Sequence, residues 1–247
     1  MEQFNTSILI IGSLFLAPAA QAQVTFSIGP KVGYSLSTAS FHVSDYPDYF
    51  STFSSYRSGV EAGVLAQVGV GDHWAVQPAL LYARKAPSYG TSSYYQPNNY
   101  GYHQQYTLGL NYLLLPINVL YSQRANGQGK QVFIGPYMGW LLGGTYRVQS
   151  NEGRGEPKAG GPAYDGTVEA GDTYSTDSRY VIRGLDAGLQ VGVGYGFEAL
   201  QLQASFSLGL RNIGAAYAPN ALHDYEAPVI RTRGFQLSAA YLFGPKS

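Results

Sequence analysis

The chain has 247 residues, 45% hydrophobic and only 12% charged, with 15 basic side chains against 15 acidic ones and no cysteine. That excludes a disulfide scaffold, Cys-ligated metal and thiol chemistry, and leaves no basic footprint for nucleic acid. The apolar content and 22 Tyr exclude a disordered chain, and 31 Gly, against a usual share of about 7%, point to one Gly- and Tyr-rich all-β domain of a size that closes as a single barrel.

The first segment reads as a processing signal. Ile8 to Ala17 is an apolar run, followed by Pro18 and the small-x-small site Ala20-Gln21-Ala22. A secretory signal peptide over 1–22 and a mature domain over 23–247 are expected, although Glu2 stands in an n-region without Lys or Arg. The alternative, a membrane anchor, is short of the ~20 residues a helical span needs.

From residue 24 onward the dominant signal is period-2 alternation, the pattern of strands. Phe26, Ile28, Pro30, Val32, Tyr34 and Leu36 alternate with Ser27, Gly29, Lys31, Gly33 and Ser35. Val60 to Val70 alternates with Gly59, Glu61, Gly63, Leu65, Gln67 and Gly69, and Trp74, Val76, Pro78, Leu80 and Tyr82 alternate with smaller residues. Segments near 105–122 and 131–147 are apolar on both faces, so their phase stays open. Leu185 to Phe197, Leu200 to Leu210 and Phe235 to Phe243 alternate again, against Gly, Gln and Ser. Eight strands follow: roughly 24–36, 57–70, 74–86, 105–122, 131–147, 179–197, 200–213 and 230–243.

The connections alternate in length. Gly71-Asp72-His73, about 123–130 and Glu198-Ala199 are short; about 37–56, 87–104, 148–178 and 214–229 are long. Even strand number, short periplasmic turns and long extracellular loops are the pattern of an eight-stranded antiparallel up-and-down transmembrane β-barrel in the outer membrane. The faces agree. A soluble barrel buries its large apolar residues, whereas here the small and polar face suits a lumen that holds little more than side chains, and Leu, Val and Phe would face lipid. The stretch from Phe235 to Phe243, at ~3.4 Å per residue and ~40° tilt, spans about 23 Å, near the ~25 Å apolar band. Trp74, Tyr82, Tyr195 and Tyr241 suit aromatic girdles.

Tyr112-Leu113-Leu114-Leu115-Pro116-Ile117-Asn118-Val119-Leu120-Tyr121 resembles the Tyr-Leu-x-Ile-Pro-Leu strand of the PorT-like outer-membrane β-barrel family of Bacteroidetes. Gly29–Gly33, Gly184-Leu185-Asp186-Ala187-Gly188 with the Gly192/Gly194 repeat, and Gly209-Leu210-Arg211-Asn212-Ile213 are similar to it too. The resemblance covers nearly the whole mature chain. It is specific for the barrel and weak for function; a founding member is linked to a protein-secretion pathway, so it implies a secretion accessory role.

Catalytic groups are sparse. His42, His73, His103 and His223 fall in loops or turns, none beside a Ser and an acid. Gly192-Val193-Gly194-Tyr195-Gly196 lies inside an alternating strand with no following helix, so it fails as a nucleotide loop. The longest loop carries Glu152, Glu156, Asp165, Glu169, Asp172 and Asp177 against Arg154 and Lys158, without EF-type spacing for calcium. No catalytic residue, cofactor or metal is expected.

Three groups of residues are candidates for a role. Tyr46, Tyr49, Phe50, Tyr94, Tyr95 and Tyr100, with Phe53, Tyr56, Tyr89 and Tyr102, are loop aromatics suited either to contact surfaces or to packing the loops as a lid. Arg84, Arg179, Arg183, Arg231 and Arg233 fall in the lipid-facing phase near the loop ends, a collar that would pair with lipopolysaccharide phosphates. Lys31, Glu61, Lys85, Asp186 and Arg211 fall in the lumen phase. A tight turn on Glu198-Ala199 sets Phe197 beside Leu200 and carries that register to Asp186 opposite Arg211. The turn at Asp72 places Glu61 beside Ala83 and diagonal to Lys85. The expected protein is a monomeric, non-enzymatic barrel with an envelope structural or surface-interaction role. Its partners would be outer-membrane lipid, lipopolysaccharide and other envelope or secretion proteins. The alternative is a barrel enzyme acting on lipid or surface substrates.

Overall fold

Period-2 alternation of β-branched and aromatic residues with Gly, Ser and Gln makes each strand two-faced, and the ladders follow from it. The computed structural model describes residues 24–42, 50–173, 180–216 and 228–244; the expected signal peptide over 1–22 lies outside them. These residues form one sheet: β1 (Val24–His42), β2 (Phe50–Ser55), β3 (Arg57–Val70), β4 (Trp74–Lys85), β5 (Ser88–Tyr95), β6 (Tyr100–Arg124), β7 (Gln128–Arg154), β8 (Ala163–Ala170), β9 (Tyr180–Ile182), β10 (Leu185–Phe197), β11 (Leu200–Gly209) and β12 (Val229–Tyr241).

The sheet has twelve strands, not the eight that alternation marks. Eight of them pair antiparallel in a cycle. In chain order, β1 bonds β3, β3 bonds β4, β4 bonds β6, β6 bonds β7, β7 bonds β10, β10 bonds β11, β11 bonds β12, and β12 returns to β1. The other four lie in stretches read as irregular loop, apart from β9, which falls at the start of the segment read as the 179–197 strand. They form because β6 and β7 are 25 and 27 residues long, more than twice the ~9–11 a tilted strand needs to cross a bilayer. The first part of β6 and the last part of β7 pair with each other beyond the cycle, from Tyr100 opposite Arg154 to Leu110 opposite Gly144. Their free edges template β5 and β8, which in turn bond β2 and β9. The result is an outer sheet in the order β2-β5-β6-β7-β8-β9, continuous with the wall. Its Ser, Thr and Tyr strands bury no regular apolar stripe, so no hydrophobic period announces them.

The change from wall to outer sheet is marked in the backbone. Pro87 separates β4 from β5; it cannot donate, but its carbonyl accepts the Leu108 N–H at 3.0 Å. A register shift falls at Asn111/Tyr112, and across from it Gly143 takes φ 129, a conformation that favours glycine.

The structure resolves the phase of the two ambiguous strands. In β6 the even positions from Leu108 to Ser122 face inward; in β7 the odd positions from Gln131 to Gly139 do. Both read as two-sided because their inner faces are themselves apolar. Leu108, Leu110, Tyr112 and Leu114 join Leu81, Ala83, Ile182, Ile213 and Ile230 in a buried cluster at the loop end. Leu120 and Phe133 pack with Ala75 nearer the turns. Elsewhere the large apolar side chains point out, as at Val32, Leu80, Ile134, Val193 and Leu237. Trp74 and Tyr121 meet edge-on at 5.1 Å at the turn end, where Tyr195, Tyr241 and Phe243 are also exposed.

Candidate functional site

Inward-facing polar residues occupy the interior between the two apolar clusters. Toward the turns, glutamines from four strands bond one another. Gln77 Nε2 donates to Gln67 Oε1 at 2.8 Å and to Gln201 Oε1 at 3.0 Å; Gln201 Nε2 donates to Gln131 Oε1 at 2.9 Å. Gln203 Nε2 donates to Gln77 Oε1 at 3.0 Å, and Lys31 Nζ donates to Gln203 Oε1 at 3.2 Å. An amide both donates and accepts, so such an array satisfies its members without a net charge. One level up, Gln236 Nε2 donates to Glu61 Oε2 at 3.1 Å and Gln190 Nε2 donates to Gln236 Oε1 at 2.8 Å.

Nearest the loops sits a buried ion pair. Lys85 Nζ stands 3.5 Å from Asp186 Oδ2. Thr232 Oγ1 donates to the same oxygen at 2.9 Å, and Tyr137 donates to Asp186 Oδ1 at 3.4 Å. The ammonium also lies over the rings of Tyr112 and Tyr137, 5.4 and 5.2 Å from their centroids. A buried charge is tolerated when paired and hydrogen-bonded, and Asp186 has both kinds of partner.

The expected Asp186–Arg211 pair is not formed. The register on the Glu198-Ala199 turn is the one expected, Phe197 opposite Leu200 up to Gly188 opposite Gly209. Beyond that, both Leu210 and Arg211 donate to the Ala187 carbonyl, β11 ends, and Arg211 turns out to an exposed position. Glu61 does lie opposite Ala83, and all four other lumen candidates, Lys31, Glu61, Lys85 and Asp186, are buried. Tyr137, Thr232 and the glutamine array were not singled out from sequence. Thr232 could have been, since it holds the inward parity between Arg231 and Arg233; Tyr137 could not while the phase of its strand was open.

The collar divides. Arg84, Arg231 and Arg233 are exposed on outward positions of β4 and β12. Arg183 is not on a wall strand. The segment read as 179–197 breaks after β9, and Arg183 lies in the break, 3.9 Å from Asp172 and donating to the Asn212 carbonyl at 3.5 Å. Arg179, Tyr46 and Tyr49 fall outside the described residues, as do Asp177 and His223.

The aromatic residues separate into two roles. Phe41, Tyr89, Tyr106, Tyr146 and Tyr180 pack against one another over the loop end of the interior. Phe41 stacks on Tyr89 at 5.0 Å, Tyr106 lies 5.7 Å from both Tyr89 and Tyr180, and the Tyr89 and Tyr180 hydroxyls are hydrogen-bonded. Tyr94, Tyr95 and Tyr100 sit at the far tip of the outer sheet, where Tyr94 donates to Asn99 Oδ1 at 2.7 Å and Tyr95 and Tyr100 are exposed. Phe50 opens β2 opposite Ser93. His103, expected in a loop, stands on β6 with its ring stacked on Phe53 at 4.9 Å. Asp165 faces Arg147 at 3.8 Å. Among the described residues no three His, Asp or Glu converge as metal ligands, and no helix is long and apolar enough to cross a membrane.

A wall of two-faced strands, with large apolar side chains exposed outside and a hydrogen-bonded polar centre between apolar clusters within, defines a membrane-spanning β-protein. Residues 20–214 match the family described as outer membrane protein beta-barrel domain; the chain belongs to that family, and its place is the outer membrane. It is similar in fold to Neisserial surface protein A, at 12% identity over 90% of this chain and 99% of that one, with a TM-score of 0.39. It is also similar to the outer membrane protein OprG from Pseudomonas aeruginosa, at 9% identity over 91% and 98% of the two chains, again with a TM-score of 0.39. No curated protein sequence matches the chain.

Proposed function

We propose that this protein is a non-enzymatic, monomeric eight-stranded transmembrane barrel that serves the cell envelope as a structural and surface-interaction element. Its short turns face the periplasm and its outer sheet faces the medium. The observation that carries the reading is the division of labour along the molecule. The interior is filled by side chains that hydrogen-bond within three local networks, from the glutamine array at Gln131 to the cage around Asp186, and the outer sheet presents exposed tyrosines at its tip. A filled interior of eight strands suits neither diffusion nor substrate entry. Tyr is a favoured residue of contact surfaces, because it offers large amphipathic area at little entropic cost.

Arg84, Arg231 and Arg233 then lie at the outer interface, where a cation costs little and can pair with lipopolysaccharide phosphates. The resemblance to the PorT-like family of Bacteroidetes extends the reading to a secretion accessory whose partners are other envelope proteins.

The test is a cross-linking pull-down from intact cells with the wild type and a Tyr94→Ala/Tyr95→Ala/Tyr100→Ala variant. Loss of captured envelope proteins by a variant that still migrates faster unboiled than boiled, as folded barrels do, supports the reading. Steady conductance in planar bilayers, or hydrolysis of phospholipid by the purified protein, overturns it.

A further inference from the structure

Three separate side-chain networks end at one small cavity in the interior. Lys31 belongs to the glutamine array through Gln203. Glu61 belongs to the chain of Gln236, Gln190 and Ser205. Lys85 belongs to the cage of Asp186, Tyr137 and Thr232. Among the described residues no side-chain hydrogen bond joins one of these networks to another. A cavity of about 10 Å³ lies between them; Lys31, Glu61 and Lys85 meet there, and Leu81, Leu114 and Pro116 form an apolar part of its lining.

One of the side chains lining it carries an unsatisfied atom. Glu61 is more than nine-tenths buried, its Oε2 accepts from Gln236, and its Oε1 has no hydrogen-bond partner. Neither lysine reaches it to form a direct ion pair, although among the described residues each donates one side-chain bond of the three an ammonium offers. The side chain is held there by the strand opposite. Glu61 pairs with Gly33, and a Cβ at Gly33 would stand 2.7 Å from Oε1 and 2.8 Å from Cγ, so the carboxylate lies across a position that only glycine leaves open.

We infer that the cavity binds a single water molecule that donates to Glu61 Oε1, accepts from the Lys31 and Lys85 ammoniums, and joins the three networks into one. The volume is at the lower bound for one water, about 10–15 Å³, and the polar partners are of the number and kind a buried water takes. A metal cation would meet two ammoniums, and a halide would meet the carboxylate, whereas water complements both signs.

The test uses the full mature chain folded in detergent. A crystal structure at water-resolving resolution is expected to place one water within hydrogen-bond distance of Glu61 Oε1 and of at least one lysine Nζ. Oxygen-17 magnetic relaxation dispersion is expected to count one fewer long-lived water in Glu61→Met, which keeps the length of the side chain and removes its acceptors. A dry cavity, or a direct Glu61–lysine contact, overturns the inference, as does an anomalous peak at this position after bromide soaking. If Glu61→Met does not fold, the wild-type crystal alone decides.

Discussion

Lys85 on β4 and Asp186 on β10, 101 residues apart in the chain, meet at 3.5 Å in the interior with almost no exposure to water. Their strands stand three apart in the eight-strand cycle, with β6 and β7 between them, so the contact is a cross-strut and not a ladder neighbour. Its geometry is set by what surrounds it. Thr232 and Tyr137 donate to the carboxylate, and two tyrosine rings flank the ammonium.

Removing one member of such a pair leaves the other buried and uncompensated, at a cost of about 3–5 kcal/mol. Asp186→Ala should therefore lower the urea midpoint of unfolding from lipid vesicles. Lys85→Met on its own should do so as well, and the double variant should lose much less than the sum. Arg211→Ala, whose side chain is exposed, should change the midpoint little and add independently to Asp186→Ala. Full additivity of the Lys85 and Asp186 losses would show that the two are not coupled.

Close approach makes a second position sensitive. Gly192 on β10 lies opposite Phe133, and a Cβ there would stand 2.3 Å from the ring Cζ and 2.6 Å from the Ala204 carbonyl oxygen. The ring can swing away, but the backbone carbonyl cannot. Gly192→Ala should cost about 1–3 kcal/mol, the usual penalty of overpacking. Gly153→Ala is the control: nothing lies within 4 Å of its Cβ position, and replacing glycine at an unstrained site stabilises by about 0.4–1 kcal/mol. Equal effects of the two substitutions in the same unfolding assay would refute the argument.

The wall was legible because membrane strands carry their environment on each face. Val60 to Val70 and Leu200 to Gly209 could be phased from alternation alone, and the register of the Glu198-Ala199 turn followed from keeping Phe197 beside Leu200. The same rule failed to place Arg211. Where a strand ends depends on a local break at Ala187, and no periodicity records it. Lys85 was placed on the inner face by parity, but its partner is the outcome of folding the whole cycle, which sequence distance does not reveal. β2 and β5 were invisible for a different reason. The segment Phe50–Ser55 owes its strand form to the free edge of β5, and from Ser51 to Ser55 it buries no continuous stripe of its own.

The collar predictions follow from the split among the arginines. Arg231 and Arg233 point outward from β12 beside Ser40 and Thr38 of β1. Arg231→Glu/Arg233→Glu should reduce the lipopolysaccharide retained on purification, because a phosphate that met two cations would meet two carboxylates. Arg183→Ala should leave retention unchanged, since that guanidinium faces Asp172 and the Asn212 carbonyl. Unchanged retention in the charge-reversed variant, measured by phosphate content of the purified protein, would count against lipid binding.

The aromatic cluster should set the stability of the outer sheet separately from that of the wall. Tyr89 on β5 is almost wholly buried, stacks on Phe41 and bonds the Tyr180 hydroxyl, so it ties β5 to both β1 and β9. Truncating a large buried aromatic ring costs about 3–5 kcal/mol, and here the loss falls on β5 and β9, outside the eight-membered cycle, and on the last residues of β1. Elements with fewer neighbours open locally at lower free energy than the rest of a fold. Tyr89→Ala should therefore speed trypsin cleavage of intact cells at Arg147, Arg154 and Lys158, while the unboiled protein keeps its fast, folded mobility. Tyr89→Phe, which retains the stack and loses only the hydroxyl, should give a smaller increase. If cleavage is unchanged, the cluster does not hold the outer sheet. If the folded band disappears as well, the sheet and the wall unfold as one unit and the separation argued here is wrong.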